Sequence, residues 1–357
     1  MASSLYFLLL LFVFPFAALL LALAVLVRPR PARIPLKGRH VLVSGGSSGI
    51  GLSLARRAAA EGARVSILAR DRSRLSDARE TIRLATGVDA SVIAVDVRDA
   101  EGVARAIEAL DPVDVLICNQ GVFVPQELDL QSLDEVRFMV DVNLMGTFHL
   151  IKAALPAMKK RARETGIPAS IALMSSQAGQ VSIFLPYSKL FSFYVGVYGY
   201  TAYSASKFAL RGLAEALQHE VVADHIHVTL IFPPDTETPG LAEVVRVVCV
   251  SQPSIFRIAE LKRRPEVTNK IAASSGGMKA DKVAQIALNG IKSALFVVPC
   301  NFEGVMLCIA TAGMSPQPSI FMAFREVLGA SLMRLVGLCF QWSWFGVIKK
   351  WHTEKGM

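Results

Sequence analysis

From residue 40 onward, short runs of aliphatic and β-branched side chains alternate with longer stretches of helical periodicity. The runs are HVLVS, RVSIL, SVIAV, DVLIC, SIALMS and HVTLIF; a later helical pattern, DKVAQIALNGIKSA, precedes a seventh run, LFVVP. Strands buried on both faces read as such unbroken apolar runs, and helix-length segments between them supply the crossovers. The pattern therefore predicts an α/β domain, a doubly wound parallel sheet with helices on both faces. Ahead of it, residues 5–27 hold no charged side chain in 23 positions. At roughly 1.5 Å per residue such a helix reaches about 34 Å, enough to cross a bilayer core. A cleaved signal peptide is the competing expectation, but no Lys or Arg precedes the run, and it is longer than an ordinary signal core. Arg28, Arg30, Arg33, Lys37 and Arg39 follow at once, which by the positive-inside rule places that side in the cytosol, and Pro29, Pro31 and Pro35 read as a stiff spacer. From about residue 303 the chain turns apolar again, as a membrane-contacting helical tail, a second span broken by Arg334, or helices packed on the sheet. The expected division is an anchor and basic linker over 1–37, the α/β domain over 38–302 and the apolar tail over 303–357.

Composition supports contact with lipid: 53% of the 357 residues are hydrophobic. The 38 Lys and Arg against 29 Asp and Glu give a net charge of +9, but the basic residues are dispersed and not interleaved with aromatics. That balance suits anionic membrane surfaces or phosphorylated ligands and argues against nucleic acid as partner. Cys118, Cys249, Cys300, Cys308 and Cys339 are odd in number and contain no Cys-x-x-Cys pair, which points to a reducing compartment and to no metal site.

The chemistry begins at SGGSSGIG, between the first strand and the first helix of the domain. Gly45 permits the tight turn, Gly49 lets backbone N–H groups approach a pyrophosphate, and Gly51 lets helix and strand pack closely, with Ser47 and Ser48 between them. The second strand ends in LARDRSR, where Arg70 stands in place of an acid that would hold a ribose 2′-hydroxyl, with Arg74 one helical turn on. Two cations suit a 2′-phosphate, so NADPH is the expected cofactor. Asp96 ends the third strand, beside an adenine, and Asn119 and Gly121 follow the fourth. In YSASK, Tyr203 and Lys207 are spaced i, i+4 and share a helix face, where the ammonium favours the phenolate and makes the tyrosine a proton donor to a carbonyl undergoing reduction.

These motifs, together with Asn143 in DVNLMGTFH, Ser176 in SSQAGQ and the stretch PPDTETPG, fall in the order seen in short-chain dehydrogenases/reductases, and the resemblance covers about residues 38–300. GGSSGIG, SSQAGQ, GYTAYSASKFALRGLAEALQ and PPDTETPG resemble most the 3-ketodihydrosphingosine reductases. The resemblance implies a Rossmann-type fold and a cytosolic catalytic domain anchored in the endoplasmic reticulum. It further implies NADPH-dependent reduction of a lipophilic ketone, 3-ketosphinganine, to sphinganine, and leaves a homo-oligomer open. By the same resemblance Ser176 polarises the carbonyl, Tyr203 is the acid, Lys207 contacts the ribose and tunes the tyrosine, and Asn143 holds a proton-relay water. Thr236 and Thr238 meet the nicotinamide carboxamide and the phosphate.

Two apolar segments depart from that pattern: residues 182–195, SIFLPYSKLFSFYV, which set Ser176 and Tyr203 27 positions apart, and VVRVVCVSQPSIFRIAE near 244–260. Both interrupt family-like text without altering it on either side, the signature of alternative splicing or of a gene-model artefact; genomic DNA without an intron boundary there refutes that origin. Loop closure entropy grows slowly with length, so such a segment can loop out at small cost. Three functions stay open on sequence: reduction of 3-ketosphinganine, reduction of another lipophilic ketone such as a steroid or retinoid, and a nucleotide-binding protein impaired in catalysis by the insertion.

Overall fold

The computed structural model describes residues 2–27, 32–180, 198–238 and 277–335, together with Thr353. Residues 182–195 and 244–260 lie outside the described residues. The N-terminal apolar run forms a single 26-residue helix, α1 (Ala2–Val27), with Pro15 inside it.

The α/β domain then runs through β1 (His40–Ser44), α2 (Gly49–Ala60), β2 (Arg64–Ala69), α3 (Arg72–Thr86), β3 (Ser91–Ala94), α4 (Ala100–Glu108) and β4 (Val115–Cys118). Next come α5 (Leu133–Val140), a π-helical turn over Asp141–Met145, α6 (Gly146–Thr165), β5 (Ala169–Met174), α7 (Thr201–Val221) and β6 (Ile226–Phe232). A two-residue pair, β7 (Thr236–Glu237) and β8 (Met278–Lys279), precedes α8 (Ala280–Lys292), β9 (Val297–Pro299) and α9 (Phe302–Ala310). A final helix, α10, covers 320–335.

Seven strands form one sheet in the order β3-β2-β1-β4-β5-β6-β9, every neighbouring pair parallel. All seven runs read from the sequence are strands of this sheet. The alternation of side chains along each strand feeds two cores. Val41, Val43, Val115 and Ile117 pack with Ala55, Ala58, Leu75, Ile82, Val283 and Ile291 from α2, α3 and α8. Leu42, Leu116 and Cys118 face the other way, against Val103, Leu150, Ala154, Leu210 and Ala214 from α4, α6 and α7. Central strands such as β5 are buried at every position, whereas the edge strand β3 is largely exposed.

Residues on either side of the expected 38–302 domain pack against it. Ile34 and Leu36, assigned above to the linker, are 2% and 3% exposed within the first core, and the Ile34 N–H donates to the Lys292 carbonyl at 2.9 Å. The domain therefore begins before residue 38. At the other end, α9 buries Leu307, Cys308 and Ile309, so the start of the tail packs on the domain, one of the arrangements expected for it. Basic and proline residues around Ile34 and Leu36 mask two apolar positions that only tertiary packing selects. Strand order reverses between β1 and β4: the chain builds outward through β2 and β3, then returns to the other side of β1. The crevice beyond the carboxyl ends of strands at such a reversal is where open α/β sheets bind ligands.

Candidate active site

At this reversal lies a cleft of about 320 Å³. Of the residues expected to hold a dinucleotide, Gly45, Ser47, Ser48, Gly49, Arg70, Arg74, Asp96, Asn119, Gly121 and Thr238 line it. The turn from β1 into α2 explains the glycines. Gly45 has a φ of +62°, and a Cβ there would lie 3.1 Å from the Asn119 Nδ2 and the Gln120 backbone. A Cβ on Gly51, one turn into α2, would run into the carbonyl oxygen of Gly45. Ser48 is the extended N-cap of α2 and makes no side-chain cap bond, so the first amide groups of the helix point into the cleft uncapped by their own chain. Asn119 locks the turn: its Nδ2 donates to the carbonyls of Ser44 and Gly45, both at 3.3 Å.

Arg70 ends the β2 side of the cleft and Arg74 sits in the first turn of α3. Asp71 between them is the N-cap, accepting the Arg74 N–H at 3.1 Å, which fixes the direction in which the helix leaves. Asp96 lines the same end and pairs with Arg98 at 2.7 Å. Burial disfavours the Asp96 carboxylate, but the hydrogen bonds from Arg98 outweigh it and hold the group below its ordinary range. The donor set fits a nicotinamide dinucleotide: a glycine turn that backbone alone can approach, a helix start without a side-chain cap, and two guanidiniums at the end of the cleft beside β2.

The residues expected to be catalytic come from three elements: the turn after β5, α7 and the π-helical turn. Ser176 follows β5 and caps a single 3-10 turn, Gln177–Gly179; its Oγ accepts the Ala178 N–H at 3.1 Å, leaving its own proton free to be donated. Tyr203 stands in the first turn of α7, its ring edge-on to Phe123 at 4.7 Å between centroids and to Tyr200 at 6.3 Å. Lys207, one turn on, is 4% exposed; its Nζ donates to the Met174 carbonyl at 2.9 Å and lies 5.7 Å from the Tyr203 ring centroid. Burial pulls the Lys207 pKa down to about 8. Despite 27 intervening positions, the Ser176 turn packs on α7: Ala178 and Tyr200 are buried together, with Phe123 and Tyr203 against them. Ser175 adds a direct strap, its Oγ donating to the Lys207 carbonyl at 2.9 Å.

Asn143 lies in the π-helical turn and is fully buried. Its Nδ2 donates to the Val122 carbonyl and to Ser206 Oγ, each at 3.0 Å, and its Oδ1 accepts the Val122 N–H at 2.8 Å. The side chain therefore joins the end of β4 to α7, and the backbone carbonyl accepts from Thr147 Oγ1 at 2.9 Å. Thr236 is turned into a local bond, its hydroxyl donating to the Pro234 carbonyl at 2.8 Å, and is not among the residues lining the cleft.

Sequence reasoning missed a buried polar relay beneath the site. Ser44 Oγ donates to Gln120 Oε1, whose Nε2 donates to Thr147 Oγ1 at 2.9 Å, and Thr147 in turn holds Asn143. No local pattern marks these residues, which lie 76 and 27 positions apart.

Comparison with known proteins agrees with this geometry. Residues 39–247 match the short chain dehydrogenase family. The chain is 53% identical over 327 residues to the 3-dehydrosphinganine reductase TSC10B of Arabidopsis thaliana, covering 92% of this chain and 89% of that one. It is 33% identical over 333 residues to a 3-dehydrosphinganine reductase of Danio rerio, covering 91% and 90%. Among solved structures, a short-chain dehydrogenase from Sphingobium yanoikuyae in complex with NADPH shares the fold, with a TM-score of 0.56 at 22% identity over 74% of this chain and 88% of that one. The Rossmann-type sheet, the glycine turn at its reversal and the Ser176, Tyr203 and Lys207 cluster are those of an oxidoreductase, and the chain belongs to the short-chain dehydrogenase/reductase family.

Proposed function

We propose that this chain reduces the C3 ketone of 3-ketosphinganine to the alcohol, giving sphinganine, with NADPH as reductant. One observation carries the reading: identity to a plant 3-dehydrosphinganine reductase extends across 92% of the chain, through a site whose catalytic side chains are assembled. NADPH supplies a hydride when bound; Gly45, Gly49 and the amides opening α2 hold its pyrophosphate, and Arg70 and Arg74 its 2′-phosphate. Ser176 donates a hydrogen bond to the ketone oxygen. Tyr203 gives its phenolic proton to the same oxygen as the carbon becomes tetrahedral, and the Lys207 ammonium stabilises the phenolate left behind. Phe123 and Tyr200 form an aromatic wall beside the acid.

The same reading sets α1 across the endoplasmic reticulum membrane with the domain on the cytosolic face. Val13, Phe14, Phe16, Leu21 and Leu26 are each at least half exposed, which a helix in water does not sustain at that density. The tail helix α10 turns Phe321, Val327, Leu328 and Leu332 outward and meets α1 through Phe324 and Phe16, ring centroids 5.4 Å apart, which supports setting it against the same bilayer. A substrate with a long alkyl chain partitions there.

The test is NADPH oxidation with 3-ketosphinganine in membranes carrying the full chain, a copy lacking residues 182–195, and Tyr203→Phe. Similar turnover in the first two, lost in the third, supports the reading. Turnover confined to the deleted copy would show that the extra segment disables the site.

A further inference from the structure

Ser176 and Tyr203 are separated in sequence by 27 positions, residues 182–195 among them. The Ser176 turn is tied to three other parts of the domain. Ser175 Oγ donates to the Lys207 carbonyl at 2.9 Å, and the Gln177 N–H donates to the Pro233 carbonyl at 3.0 Å. The third tie is made by a side chain from far along the sequence: Gln177 Nε2 donates to Asn301 Oδ1 at 2.6 Å, across 124 positions. Gln177 is 3% exposed, so this bond is shielded from water. Asn301 is itself held, since its Oδ1 also accepts the Gly304 N–H at 2.8 Å as the N-cap of α9, and its Nδ2 donates to Glu303 at 2.6 Å. Gly304 keeps the approach open: a Cβ there would lie 3.1 Å from both Gln177 Nε2 and Asn301 Oδ1. Gln180 Nε2 adds a second tie to α9, reaching Cys308 Sγ at 3.0 Å.

We propose that Asn301, acting through Gln177, is a positioning residue that holds the Ser176 hydroxyl in register with Tyr203 across the interrupted chain. The proposal rests on the reading of Ser176 as the carbonyl-polarising donor. Ser176 Oγ accepts from Ala178 N–H within the turn that Gln177 begins, so a rotation of Gln177 re-aims the hydroxyl. Misplacement of a catalytic donor by about 1 Å costs up to about 10²-fold in rate.

Gln177→Met breaks the tie without touching the cap of α9. In membranes carrying the full chain, Gln177→Met is expected to lower kcat for 3-ketosphinganine by about 10-fold to 10²-fold, with NADPH affinity unchanged. In a Ser176→Ala background Gln177→Met is expected to add no further loss. Parent-like kcat in Gln177→Met overturns the proposal, as does an equal fold loss in both backgrounds or a parallel loss of NADPH binding. Parent-like kcat in Ser176→Ala alone overturns the underlying role of Ser176, which is a separate result.

Discussion

Lys207 carries its charge where little can solvate it: at 4% exposure, its ammonium has the Met174 carbonyl as its hydrogen-bond acceptor. Burial lowers its pKa from 10.5 to about 8. Below pH 8 folded and unfolded chains both hold the proton, so the desolvation cost is present in full. Between about 8 and 10.5 the folded state releases the proton first, the unfolded state binds more protons, and stability rises with pH. Lys207→Met is therefore expected to abolish turnover yet raise stability at pH 7 by an amount on the order of 1–3 kcal/mol, seen as a higher melting temperature, with the gain shrinking toward pH 10. Scanning calorimetry across that range checks it, and a gain independent of pH would contradict the assignment. The parent's kcat/KM should fall above about pH 8 as the ammonium that favours the phenolate is lost.

At the scale of elements, the cofactor cleft is made where strands stop and helices start. Strand and helix positions were legible because burial on both faces leaves unbroken apolar runs, and the glycine turn because Gly45 and Gly51 leave no room for a side chain. Arg70 and Arg74 were legible for the same reason: the end of β2 and the first turn of α3 are contiguous in sequence. The relay through Ser44, Gln120, Thr147 and Asn143, and the tie from Gln177 to Asn301, were not, since a hydrogen bond between distant elements leaves no periodic trace. Cofactor choice is decided at this scale. Charge-assisted hydrogen bonds contribute about 1.5–3 kcal/mol each, so Arg70→Ala or Arg74→Ala should weaken NADPH binding about 10-fold to 10²-fold. NADH, lacking the 2′-phosphate, should bind as before. Fluorescence titration of both nucleotides measures this, and equal losses for the two would assign the arginines another role.

For the whole molecule, the question is where membrane attachment ends and the catalytic body begins. Ile34 and Leu36 are core residues of the domain, so the connection from α1 is residues 28–33, which span at most roughly 20 Å at about 3.3 Å per residue. With α1 in a bilayer, as proposed above, the domain would be held within the length of an extended alkyl chain of it, and the ketone could reach Tyr203 while much of the tail stays in lipid. The same boundary makes a sharp prediction about truncation. Removing residues 1–32 leaves both apolar side chains and the Ile34 bond to Lys292 in place, whereas removing 1–37 exposes the cavity they filled. Burial of two such side chains contributes about 3–6 kcal/mol, a large share of the roughly 5–15 kcal/mol that stabilises a domain. In detergent, the chain from residue 33 should melt with the full chain, and the chain from residue 38 on the order of 10 °C lower. Identical melting of the two truncations would return Ile34 and Leu36 to the linker and lengthen the tether by as much.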